Sequence, residues 1–122
     1  MSPDAFVSRH VAALTEGDAD AIADLYTDDA VLVSFEWAAD GRDAVRDRFA
    51  KFFDFHGEIS EVAVEQQQTT DDSAFVEYAV TGERGTFHLV NVFVLEGDRC
   101  ARHYSNEVRV ELDRDEVETD VD

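Results

Sequence analysis

An α+β domain, with three N-terminal helices laid on one face of an antiparallel sheet, is the fold class this chain predicts. Three observations carry the expectation. Up to His56 the apolar residues recur at helical spacing, and from Ile59 onward they switch to a period of two. Breakers are scarce, with one Pro and six Gly in 122 residues. At 44% hydrophobic residues, nine of them Phe, the chain suits one packed domain rather than a loop-rich one.

Ser2-Pro3-Asp4 opens a first helix with a hydroxyl cap, a proline in the first turn and an early acid. Phe6, Val7, His10, Val11 and Leu14 share one face of it, and Gly17 ends it. Asp18 caps a second helix carrying Ile22, Leu25 and Tyr26. Ala30 to Phe35 reads as a short strand. Val45, Phe49, Phe52 and Phe53, at i, i+4, i+7 and i+8, define a third helix that His56-Gly57 closes. Strands are expected at Ile59–Gln68, Ser73–Thr81, Thr86–Glu96 and Arg99–Leu112, joined at Asp71-Asp72, at Gly82 to Gly85 and at Gly97-Asp98. A meander after three helices places all the helices on one side. The domain spans 1–112, and 113–122 reads as a solvated, disordered acidic tail.

Charge bounds the function. There are 29 acidic residues against ten basic ones, a net charge of −19, and Lys51 is the only lysine. Such a surface repels phosphate backbones, so no nucleic-acid partner is expected. Self-repulsion serves solubility. In molar salt, where the Debye length falls to about 3 Å, it costs the fold little. The scarcity of lysine favours that setting and predicts a halophilic host. No run of 18 apolar residues and no basic, apolar leader is present, so neither a membrane span nor a signal peptide is expected. A lone cysteine, Cys100, makes no internal disulfide, which fits a reducing, cytoplasmic location.

In Thr86–Glu96, Phe87, Leu89, Asn91, Phe93 and Leu95 alternate with His88, Val90, Val92 and Val94, so both faces are apolar. Helices on one side leave the second face without cover. A homodimer formed back to back through the sheet is the simplest cover.

Arg9-His10-Val11-Ala12-Ala13-Leu14, Gly17-Asp18 and Leu25-Tyr26-Thr27-Asp28-Asp29-Ala30 resemble the opening of the NTF2-like superfamily, in particular its ketosteroid-isomerase and SnoaL-like branches. Gly41 leading into a Phe-rich third helix, and a Gly turn before the last strand, continue the resemblance over residues 3 to 112. It implies a cone with a pocket between sheet and helices. Carried over residue by residue, the isomerase's oxyanion-hole tyrosine falls on His10, its general-base aspartate on Ser34 and its protonated aspartic acid on Asn91. The SnoaL-type base falls on Ser105, two after His103. Both base positions are serines, and a serine without a basic partner does not abstract a carbon-bound proton at neutral pH.

His10, on the apolar stripe of its helix, reads either as a satisfied core histidine or as a pocket group. Asn91 reads as a core amide or as a donor to a ligand oxygen. If Ala101, His103, Ser105 and Glu107 look into the cone, as the resemblance implies, His103 is the acid/base candidate with its near-neutral pKa. Glu77 would orient it if the face bearing Phe75 and Ala79 is inward, and otherwise forms a surface ion pair. Tyr26 and Trp37 flank the expected mouth, and Phe53, Leu89 and Phe93 complete the expected lining. No His-x3-His pair, phosphate loop or Gly-x-Ser-x-Gly elbow occurs, so neither a metal nor a cofactor is expected. The leading expectation is a pocket for a small, largely apolar molecule. The alternatives are a lyase or isomerase acting on a small carbonyl or polyketide-like substrate, and an interaction module working through the sheet face.

Overall fold

The computed structural model describes residues 2–112, so the expected acidic tail lies outside the described residues. Its elements run α1 (Pro3–Glu16), α2 (Ala19–Ala23), β1 (Tyr26–Val33), β2 (Ala38–Asp40), α3 (Arg42–His56), β3 (Glu61–Thr69), β4 (Ser73–Gly82), β5 (Gly85–Glu96) and β6 (Arg99–Leu112). One six-stranded sheet has the order β2-β1-β6-β5-β4-β3. The result is the α+β cone, a curved open sheet with three helices. No helix among the described residues is long and apolar enough to cross a membrane.

The caps form as the sequence suggests. Ser2 Oγ accepts from Ala5 N at 3.1 Å, Asp18 Oδ1 accepts from Ala21 N at 3.1 Å, and Gly17 closes α1 at φ 70°. The second helix is shorter than its apolar phase implies. It ends at Ala23, and Tyr26 opens a strand instead. The reason is tertiary: Cys100 N donates to Leu25 O at 2.8 Å, and β1 pairs in parallel with β6, Tyr26 opposite Cys100. Strand pairing overrides a marginal five-residue helix.

Bulges decide which side chains face the helices. Leu95 pairs with Cys100 but Val94 with Arg102, so Ala101 is an extra residue in β6. Cys100 therefore shares the buried face with His103, where strict alternation had put them on opposite faces. The thiol is fully buried, and burial pushes its pKa up to about 12. A second extra residue, Val108, leaves Glu107 opposite Leu89 and brings Arg109 opposite His88, on the other face.

The core lies between the sheet and the helices, with Phe6, Ile22, Tyr26, Val45, Val76, Tyr78 and Phe93 almost wholly buried. The C-terminal end of α3 is pinned to the β4–β5 turn. Glu83 N donates to His56 O at 2.8 Å and Arg84 Nε to Phe55 O at 2.7 Å. Gly82 permits this approach, since a Cβ there would lie 2.6 Å from His56 O.

Candidate functional site

Between α3 and the concave face of the sheet lies a cavity of about 490 Å³. α1 contributes His10 and Leu14, and Leu32, Ser34, Glu36 and Trp37 come from β1 and the segment after it. α3 contributes Arg48, Phe49, Lys51, Phe52, Phe55 and His56. Tyr78, Leu89 and Asn91 come from the middle strands, and His103, Ser105, Asn106 and Glu107 from β6. Aromatic and aliphatic walls from Leu14, Leu32, Trp37, Phe49, Phe52, Phe55 and Leu89 share the lining with histidines, amides, serines and charged groups, a mix that suits a small organic molecule.

The floor is a buried chain of hydrogen bonds whose direction follows from its Asn91 end. Asn91 Nδ2 donates to Leu89 O at 3.2 Å and Val76 O at 3.5 Å, which turns Oδ1 toward His103 Nε2 at 2.9 Å. A carbonyl only accepts, so His103 carries its proton on Nε2. Its Nδ1 then accepts from the Tyr26 hydroxyl at 2.7 Å. The Tyr26 oxygen accepts from His10 Nε2 at 3.0 Å, leaving His10 Nδ1 to accept from the Tyr78 hydroxyl at 3.2 Å. The relay thus runs Tyr78 → His10 → Tyr26 → His103 → Asn91, with every ring nitrogen used. Burial lowers His10 to about 3, and burial, with His10 alongside, holds His103 well below its ordinary value. Burial also raises both tyrosines. All five groups are neutral near pH 7.

The expected site residues divide. His10, Ser34, Trp37, Leu89, Asn91, His103, Ser105 and Glu107 line the cavity. Tyr26 does not flank the mouth: it is fully buried under the floor, because β1 begins there. Phe93 is likewise buried beneath it, its ring centroid 4.2 Å from that of His103. Phe53 is half-buried against the core, since the helical stripe of Arg48, Phe52 and Phe55 faces the cavity instead. Glu77 is on the opposite face of the sheet and orients nothing in the cavity. Tyr78 and Val76 point inward, so Glu77 and Phe75 point out. Its Oε1 accepts from Gln66 Nε2 at 2.8 Å.

On that outer face His88 is 3% exposed, with Nδ1 2.7 Å from Glu65 and Nε2 2.7 Å from Glu111. Glu77 lies 4.0 Å away, and the Arg109 guanidinium lies 3.1 Å from Nε2 while pairing with Glu111 at 3.3 Å. The carboxylates of Glu111 and Glu65 raise the His88 pKa, so the ring is an ionic clamp across the sheet. Glu65, Glu77 and His88 also form a group of ligand-type atoms within 4.8 Å of one another.

The cavity contains a residue the patterning assigned only to a helix end. His56 is 4% exposed, and its Nδ1 has no partner among the described residues. Burial, with Arg84 nearby, lowers its pKa to about 4. Neither serine at a base position has a basic partner among the described residues, and Ser34 Oγ donates to Asn106 Oδ1 at 2.9 Å.

Residues 7–103 match the model of the SnoaL-like domain. Comparison with curated proteins gives no match. Among solved structures, the chain is similar to an uncharacterised cystatin-fold protein from Novosphingobium aromaticivorans, with a TM-score of 0.73, 22% identity and coverage of 89% of this chain and 99% of that one. A SnoaL-like protein of unknown function from Burkholderia thailandensis gives 0.73 at 16% identity, covering 88% and 94%. A ketosteroid-isomerase-like fold from Catenulispora acidiphila, in complex with trimethylamine, gives 0.72 at 15% identity, covering 87% and 86%. At these identities the likeness is one of fold.

Proposed function

We propose, for a chain that belongs to the SnoaL-like domain family, that the cavity holds a small, largely apolar molecule as a binding site. The supporting observation is the closed relay in its floor. Both nitrogens of His103 are spent on Tyr26 and Asn91, so no lone pair is free to take a proton from a ligand. That counts against His103 as an acid or base in a lyase or isomerase, and the serines at positions 34 and 105 add no base. What remains is a rigid, neutral floor beneath aromatic walls, a shape that selects by fit. A neighbour of the same fold holding trimethylamine is consistent with small-molecule binding.

The test is mass spectrometry of small molecules released on denaturing protein purified in molar salt. A near-stoichiometric apolar compound is expected. A protein that releases nothing and also takes up no Nile red would sink the reading.

The outer sheet face supports a homodimer in the same proposal. Phe75 and Tyr104 are 58% and 42% exposed there, around half-buried Val90, Val92 and Val94. Sedimentation in molar salt is expected to give twice the 13.7 kDa chain mass. A Phe75→Glu variant should sediment as the monomer, and a monomeric unmodified protein would rule the dimer out.

A further inference from the structure

The geometry points to a ligand with two polar ends, a hydroxyl taken by His56 and a carboxylate taken by Arg48, joined by an apolar body. This rests on the cavity being a binding site, and adds what chemistry it selects. Three observations carry it.

The first is the His56 ring. It lines the cavity, packed on Phe52 and Phe87 at centroid distances of 4.1 and 4.5 Å, yet Nδ1 is buried without a partner. An unpaired buried polar atom costs free energy that a ligand group recovers on binding. A neutral imidazole offers one donor and one acceptor. A hydroxyl is the small group that pairs with either tautomer.

The second is Arg48. In a chain with 29 acidic residues, none of the ion pairs among the described residues includes it. Its guanidinium lies instead over the Trp37 ring, 3.8 Å from the centroid, and both residues line the cavity. Stacking spends the face of the guanidinium and leaves its N–H edges free, in the fork that a carboxylate fits. Glu36 and Glu107 also reach the mouth, but both are exposed, whereas Arg48 is half-buried. Lys51, the single lysine, lies on the same rim.

The third is spacing. Arg48 and His56 lie eight residues apart on α3, two turns or about 12 Å along its axis. Phe52 and Phe55 lie between them, and Leu89 faces them from β5. A fused bicyclic body with its polar groups at opposite ends fits that track.

Calorimetric titration with three probes tests the assignment: 6-hydroxy-2-naphthoate, 2-naphthoate and 2-naphthol. The hydroxy acid is expected to bind roughly tenfold or more tightly than either single-ended probe. Arg48→Gln should remove the advantage of both carboxylates and leave 2-naphthol unchanged. His56→Phe should remove the advantage of the hydroxyl and leave 2-naphthoate unchanged. If His56→Phe does not fold, the probe order in the unchanged protein and the Arg48→Gln series still decide. Equal affinities for all three probes overturn the inference and leave the cavity as an unselective site. Failure of all three while Nile red binds also overturns it, whereas failure of Nile red as well removes the binding reading beneath it.

Discussion

Tyr26→Phe is expected to destabilise the fold by about 2–6 kcal/mol, measured by chemical denaturation in molar salt. The hydroxyl is the centre of the relay, donating to His103 Nδ1 at 2.7 Å and accepting from His10 Nε2 at 3.0 Å. Removing it leaves two ring nitrogens of fully buried histidines unpaired, each costing about 1–3 kcal/mol. The ring itself stays, so little packing is lost. The matching change at the end of the relay, Tyr78→Phe, strands only His10 Nδ1 and should cost about 1–3 kcal/mol. The comparison is the sharper test, because aromatic volume is preserved in both variants. Equal costs at the two positions, or a Tyr26→Phe cost under about 1 kcal/mol, would mean that the Tyr26 hydroxyl is not the two-partner centre of the relay.

The same tyrosine marks where patterning stopped being informative. The order of helices and strands, the caps at Ser2 and Asp18 and the meander from β3 to β6 are local properties, so periodicity and turn chemistry reveal them. Tyr26 continues the helical phase of Ile22 and Leu25, and only a partner 74 residues away, Cys100, draws it into a strand. Faces were harder still. β5 is apolar on both sides, so its parity carries no label. The extra residue Ala101 reverses parity partway along β6, and nothing in the local sequence marks it. Glu77 stays open between the cavity and a surface ion pair for want of that label, and the structure puts it on the outer face. His10 and Asn91 were legible because polar residues on apolar stripes need partners, and His103 through the resemblance; in the structure Asn91 pairs with His103, and Tyr26 links His103 to His10. His56 was not, because a histidine before a glycine is also an ordinary helix ending. Its unpaired nitrogen exists only once the β4–β5 turn has pinned that end of α3.

Acid should destabilise this protein before its carboxylates titrate. His10 is held near 3 and His103 well below 6.5, so both stay neutral in the folded state at pH 5, while in the unfolded chain both titrate near 6.5. Between those values the unfolded state binds more protons, so stability is complete above pH 6.5 and falls as the pH drops toward the folded values. At pH 5, about 1.5 units below the unfolded pKa, each histidine costs about 2 kcal/mol. Together that is about 4 kcal/mol, a large share of the 5–15 kcal/mol typical of a domain. His56, held near 4, acts with the same sign. His88 does not offset the slope. Its pKa is raised by Glu111 and Glu65, so its contribution is already complete below 6.5 and is lost only as the pH rises through its folded value. Molar salt suppresses the competing change in self-repulsion of a chain carrying −19. Denaturant titrations at pH 7, 6 and 5 should then give a slope approaching about 4 kcal/mol per pH unit, the value for about three protons, two from the relay histidines and one from His56. A stability that stays level from pH 7 to pH 5 would show that the floor of the cavity takes up protons without unfolding, and with it that the two histidines are not the sealed, neutral pair described above.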